Sequence, residues 1–181
     1  MTCLICVPTV LNVHLELARL VQAGGGRALV VGGAVRDAAL GTPAYDLDVE
    51  VYGISPTNLE ALLDKRFGVD RIGQAFGILE LKGLPIDVSL PRRESKAGLG
   101  HCGFEVFTDL FMSVTDAMAR RDFTIDSVGL YPLTDELLDP FGGLADLASR
   151  TLRHTSAAFP DDPLRVLRAM QFAARMQREL C

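Results

Sequence analysis

Apolar positions recur along this chain with two periods, and the places where the period changes mark its elements. Within residues 9–23, Leu11, Leu15, Ala18 and Val21 stand at helical spacing, and three glycines at 24–26 end the run. The unbroken apolar stretch Ala28 to Val31 reads as a buried strand; Gly32 and Gly33 interrupt it, and a helix-compatible segment extends to Gly41. From Tyr45 to Tyr52 the period drops to two, with Leu47, Val49 and Val51 alternating against Asp46, Asp48 and Glu50, which predicts a strand. Ser55 and Pro56 cap a helix that runs to about Phe67. Short strands are expected at 69–73, 77–82 and 84–90, with links short enough for antiparallel pairing.

Residues 91–112 are rich in Gly, Arg, Lys, Ser and Glu without a sustained period, which predicts a mobile loop of about twenty residues, a length that is usually functional or disordered. A short helix at Ser113 to Arg121, a strand-like run at 123–131, a glycine turn at 142–143 and a helix to about Ser149 follow. Asp162 and Pro163 form an N-cap and first-turn pair for a last helix of about 17 residues. The expected fold class is α/β in the α+β sense: a small mixed, largely antiparallel sheet flanked by helices, with a helical stub at the end.

Composition narrows the function classes. With 181 residues, 49% of them hydrophobic and 23% charged, the chain can bury one good core. A net charge of -5 excludes a generally basic surface, so any RNA contact must be local. Residues 150–181 are the exception, with Arg150, Arg153, Arg165, Arg168, Arg175 and Arg178 against Asp161, Asp162 and Glu179, a local charge of +3. That end reads either as a nucleotide or RNA contact surface or as a solvated helix face. Among Cys3, Cys6, Cys102 and Cys181 only the first two are spaced like a ligand pair; a second pair is missing, so free thiols in a reducing cytoplasm are expected rather than zinc. The apolar opening MTCLICVPTVL lacks a basic flank and meets Asn12, His14 and Glu16 before reaching spanning length, so neither a signal peptide nor a membrane span is expected.

Candidate chemistry concentrates between Leu29 and Gly53. Gly32 and Gly33, placed between a buried strand and a helix, let backbone N–H groups approach an anion where the helix dipole also favours negative charge. Arg36 lies one turn further, available to a phosphate. The bland alternative is a packing turn. Asp46 and Asp48, two apart on a strand, face the same way with Cβ atoms roughly 6–7 Å apart, a separation that suits divalent cations. Glu50 continues the row and keeps a solvated strand edge open as the other reading.

The strings GGAVRD, DLD, RRDFTID, LLDPFGGLADL, TLRH and DDPLRVLRA, in that order over about residues 28–175, resemble class II tRNA nucleotidyltransferases and bacterial poly(A) polymerases. The resemblance implies a template-independent enzyme that adds CMP and AMP to the 3′ end of tRNA, with ATP and CTP as substrates and two Mg2+ ions on Asp46 and Asp48. Asp87 is a candidate third carboxylate. Gly32, Gly33, Arg36, Arg120, Arg121 and Asp122 are implied in triphosphate and ribose recognition. Asp162 and Arg165, with Arg168 one turn on, are implied in reading the edge of the incoming base, since Arg offers a donor fork and Asp accepts only. Asp162 also suits a simple helix cap. Asp139 and its Pro-Gly turn resemble a hinge between head and neck. The segment holding Arg92, Arg93, Glu94, Lys96 and His101 resembles a loop tied to the switch from CMP to AMP. Asp126 and Ser127 depart from the family's usual Asn and Ala, which leaves fine sugar or metal contacts open, while His14 and His154 read as structural.

The resemblance implies a nucleotidyltransferase head over 1–154 and the start of a helical neck over 155–181. The family's helical body and tail do not follow within these residues. A fragment, a minimal enzyme, and a chain completed by a partner or a dimer through Leu164, Leu167, Met170 and Ala174 all remain open. Poly(A) polymerase, addition of only C or only A, and a nucleotide-binding module without turnover are the alternative functions.

Overall fold

Four consecutive apolar residues can stay buried only if both faces of their strand are covered, and this is the situation of β1 (Arg27–Val31). In the computed structural model, which describes residues 12–72, 77–96 and 104–179, β1 pairs antiparallel with β2 (Leu47–Tyr52) on one side and β8 (Gly129–Tyr131) on the other. Val30 faces a core built from α1 (Val13–Ala23) and α3 (Pro56–Phe67), where Leu17, Val21, Leu59 and Leu63 are buried together with Val49, Val51 and Ile86. Leu29 and Val31 face the other way, onto Met112, Ala117 and Met118 around α4 (Val114–Ala119). The period-two strand therefore carries a buried acid: along β2 only Asp48 is exposed, and Glu50 lies under the α4 side.

The remaining strands are β3 (Val69–Ile72), β4 (Ile78–Leu81), β5 (Ile86–Ser89), β6 (Arg92–Lys96), β7 (Phe104–Thr108) and β9 (Glu136–Leu138). The main sheet has seven strands in the order β3-β4-β5-β2-β1-β8-β9, and β2 with β5 is its one parallel pair among the described residues. The expected mixed, largely antiparallel sheet between helices is thus the observed one.

Several local expectations are corrected. Residues 91–112 are not a single loop, because β6 and β7 pair as a hairpin in which Arg92 opposes Thr108 and Lys96 opposes Phe104. No alternation marks the first strand in the sequence, because Arg92 to Lys96 is polar at every position. The segment 123–131 is not one strand: Thr124–Asp126 forms a 3-10 turn before β8 begins. β9 follows a turn at Thr134 and Asp135, and the sequence reading missed it because Asp135 adopts the left-handed conformation more common for glycine, with φ of 55°. Cys3, Cys6, Cys102, Cys181 and His101 lie outside the described residues.

The expected cap at Ser55 is observed, and Ser113 and Asp139 add caps that were not expected. Ser55 and Ser113 accept hydrogen bonds from Asn58 N–H and Asp116 N–H, at the starts of α3 and α4. Asp139, resembling a hinge residue, accepts from Gly143 N–H at 2.6 Å and Leu144 N–H at 3.0 Å and so caps α5 (Gly143–Ala148). The last helix, α6 (Leu164–Glu179), meets the rest of the chain through Phe172, whose ring stands 5.3 Å from Phe123 in an edge contact. Among the described residues no helix is long and apolar enough to cross a membrane.

Candidate active site

Antiparallel pairing sets Val31, the last residue of β1, opposite Asp48 near the start of β2. The chain turns at Gly32 in a conformation with φ of 72°, which side-chain-bearing residues rarely adopt, and enters α2 (Gly33–Ala39). The turn also needs the missing side chain. A β-carbon at Gly32 would stand 2.8 Å from Arg121 Nη1 and 3.4 Å from Asp48 Oδ2. Gly32, Asp48 and Arg121, scattered over ninety positions of sequence, therefore meet in one crevice. The N–H of Gly32 donates to Val128 C=O at 3.3 Å, so this glycine serves the crevice by letting Arg121 and Asp48 close in on the turn rather than as an additional donor.

Asp48 is open to solvent along the crevice, while protein crowds it from the other sides. That partial burial is the first cause raising its pKa above the ordinary 3.8; Arg121 opposes the rise, and Asp87, Asp46 and Glu50 add to it. Asp87 on β5 is the direct register neighbour of Asp48, and burial followed by Glu80 and Asp46 raises its pKa as well. Burial and nearby acids together make Asp48 and Asp87 harder to ionise, the condition under which a bound cation lowers the energy. Among the described residues no group of three or more acidic, histidine or cysteine side chains is arranged to enclose a metal by itself. The donor set instead suits Mg2+, which keeps several waters and commonly takes one or two carboxylates plus substrate phosphates.

The other predicted residues divide in two. Arg36 is only 6% exposed and is committed to carboxylates: its Nε and Nη2 lie 2.9 and 2.7 Å from Asp37 Oδ1, and its Nη1 lies 2.6 Å from Asp126. It braces the turn from behind, with Phe172 against its guanidinium at 5.2 Å. Asp122 accepts from its neighbour Phe123 N–H and from Arg168 Nε. Arg165 donates to the carbonyls of Ala158 and Arg120, at 3.2 and 2.9 Å. Asp162 accepts from Leu164 N–H at 2.9 Å, a helix-start contact. The basic tail is thus neither a free cationic surface nor a wholly solvated face: Arg165, Arg168 and Arg175 reach back to acceptors on the preceding residues.

The unusual pair is accounted for. Asp126 answers Arg36 and, at 3.8 Å, Arg168, although burial raises its pKa first and foremost. Ser127 donates within reach of the Phe123 and Met118 carbonyls and shares a 2.8 Å contact with Thr155. Glu50 was the residue that sequence reasoning undervalued. It is fully buried, with Tyr52 Oη and Arg120 Nη2 each 3.0 Å from one of its oxygens. The available signal was Tyr52 two positions along on the same strand face.

Comparison with known proteins gives the same direction. A family model described as the poly A polymerase head domain matches residues 28–153. Multifunctional CCA proteins of Xylella fastidiosa and Acinetobacter baylyi are each 43% identical, over 150 and 149 residues that make up 83% and 82% of this chain. The chain spans 35% of the length of each. Among solved structures, a CCA-adding enzyme in its apo form II superposes with a TM-score of 0.76 at 29% identity, covering 93% of this chain and 40% of the other. The Bacillus stearothermophilus CCA-adding enzyme in complex with CTP gives 0.73 at 26% identity, covering 91% and 39%.

Proposed function

Because this chain belongs to the poly A polymerase head-domain family, we propose that it is the nucleotide-transfer head of an RNA nucleotidyltransferase that adds CMP and AMP to the 3′ end of tRNA without a template. The observation that carries the proposal is the convergence of the Gly32 turn, Asp48 and Arg121 in one crevice. Names of relatives support the RNA and the nucleotides: multifunctional CCA proteins by sequence, and solved CCA-adding enzymes with CTP and with ATP by structure. The expected boundary between a head over 1–154 and a neck beginning at 155 is part of the proposal, supported by a family match that ends at residue 153.

In this reading Asp46 and Asp48 hold Mg2+, with Asp87 beside them. A metal held by these carboxylates would supply positive charge to favour ionisation of the attacking 3′ hydroxyl and to offset the charge on the departing pyrophosphate. The protein's own part is placement. The missing side chain at Gly32 lets the Arg121 guanidinium lie against the turn beside Asp48, where it would meet the triphosphate, with Gly33 beginning the helix behind it. Arg121 supplies a cation where the β- and γ-phosphates would lie, and Arg36 keeps the turn in shape from the buried side. Asp122 orders the segment after Arg121 through its bond to Phe123 N–H. Asp162 and Arg165 read the base edge with support from Arg168. Arg165 is held by two carbonyl oxygens, the acceptor type that cytosine presents at O2, so a base can take their place without a change of chemistry.

The family description also names poly(A) synthesis, and product length separates the two activities. Labelled CTP and ATP, offered separately and together to tRNA lacking its CCA end with Mg2+, should yield three defined additions. A long A tract would establish poly(A) polymerase instead. Asp48→Ala should abolish incorporation while leaving the fold intact; retained incorporation would refute the assignment of the acid pair.

A further inference from the structure

A carboxylate taken wholly out of water needs partners for both oxygens, and Glu50 has them: Tyr52 Oη donates to Oε2 and Arg120 Nη2 to Oε1, both at 3.0 Å. Burial and the neighbouring carboxylate push the Tyr52 hydroxyl far above its ordinary value, so it remains a neutral donor at any working pH. The partner on the other side, Arg120, caps the C-terminal end of α4, a helix of only six residues. So short a helix holds its own end weakly. The turn is secured from outside, by Glu50 through the Arg120 side chain and by Arg165 Nη2 through the Arg120 carbonyl at 2.9 Å.

The next residue is Arg121. Its Nη1 borders Gly32, its charge acts on Asp48, and its buried Nε has no hydrogen-bond partner among the described residues. The two adjacent arginines thus face different ways. One is paired with a buried carboxylate on β2; the other leans over the crevice.

We propose that Glu50 is a positioning residue, which by holding Arg120 fixes Arg121 over the Gly32 turn and so governs the binding of the β- and γ-phosphates without touching them. The inference rests on the nucleotide-site reading above. It divides the labour of the arginine pair: Arg120 anchors and Arg121 contacts. If Glu50 served only to stabilise the fold, its loss would weaken every nucleotide alike or none.

The test compares CTP with CMP, which differ by the two phosphates in question, as ligands of the chain in Mg2+ measured by isothermal titration calorimetry. Glu50→Gln keeps the shape and removes the charge that grips Arg120. It should weaken CTP about tenfold, as expected when one charge-assisted hydrogen bond to a phosphate is removed, and leave CMP within about twofold. In the Glu50→Gln and Arg121→Ala double variant, CTP should bind no more weakly than to Arg121→Ala alone, because both changes act on the same interaction. Unchanged CTP affinity, an equal loss for CMP, or fully additive losses would overturn the proposal. Should circular dichroism show Glu50→Gln unfolded, Arg120→Lys gives the same reading, since a single ammonium keeps the charge but not the reach and fork of the guanidinium. Absence of CTP binding by the unaltered chain would overturn the nucleotide-site reading itself and this proposal with it, whereas CTP binding that Glu50→Gln leaves intact would overturn only the latter.

Discussion

Gly32 illustrates how one residue can be required for two unrelated reasons. Its φ of 72° disfavours any side chain, and the space a β-carbon would take belongs to Arg121 and Asp48. Gly32→Ala should therefore displace Arg121 and weaken CTP about tenfold or more in a binding titration, even where the protein still folds. Asp146 offers a test of a different kind. Arg153 and then Thr124 donate to it and hold its carboxyl below the ordinary 3.8. A depressed folded-state value means that the carboxylate stabilises the fold above the ordinary value and loses that contribution as pH falls through and below it. A series of melting temperatures should show Asp146→Asn less stable than the parent at neutral pH, with the gap closing below about pH 4. Thr124→Val, which removes only the buried hydroxyl, should cost roughly 1–3 kcal/mol in denaturant unfolding. At this scale Asp48 and Gly32 were legible in the sequence because strand period and glycine placement fix them locally. Arg36 was not: its spacing suggested a phosphate, whereas Asp126, ninety positions away, claims its guanidinium. Glu50 escaped for the same reason, since its partner Arg120 lies seventy positions distant.

Elements were legible where a period, an apolar run or a cap acts within a few residues, and obscure where the sequence carries no such local signal. β2 and α3 stand close to their expected bounds, since alternation and the Ser-Pro cap act within a few residues. The β6 and β7 hairpin lacks such a signal, and its pairing, including Arg93 donating to Asp109 at 2.8 Å, is a matter of tertiary placement. The glycine pair before α5 was recognised as a turn, yet its two members have different duties. Gly142 supplies a left-handed backbone with φ of 72° and open space around it. Gly143 has no room at all, for a β-carbon there would stand 2.0 Å from the Thr124 carbonyl oxygen. Gly143→Ala should cost about 3 kcal/mol or more by forcing α5 off the 3-10 turn, and Gly142→Ala about 1 kcal/mol from backbone strain alone. Equal losses in parallel thermal melts would contradict that division.

For the molecule as a whole, α6 is an element with a light attachment. Leu167 and Met170 on it are 57% and 67% exposed, and what binds it to the preceding residues is Phe172 against Phe123 together with half-exposed arginine pairs. Such pairs contribute little in water. Phe172→Ala should loosen the helix by about 1 kcal/mol for the missing ring pair, seen as faster hydrogen exchange across 164–179 with the amides of β1 and β2 unchanged. Uniform acceleration would mean instead that α6 and the sheet unfold as one. The mixed sheet itself was foreseeable from the alternation of short strands and helices. Its order was not, because no local feature says which strand lies beside β1.

That order has a kinetic side. Val30 pairs with Leu130 across a hundred residues, and the carbonyl that receives the Gly32 N–H is that of Val128. Closing so long a loop is slow compared with forming a helix or a hairpin, since its entropy must be lost before the pairing returns anything. The floor of the crevice is thus completed by one of the most distant pairings in the chain. During refolding, the capacity to take up a nucleotide should emerge after most helical signal has returned, and a ribosome must release the chain through at least β8 before the site can exist.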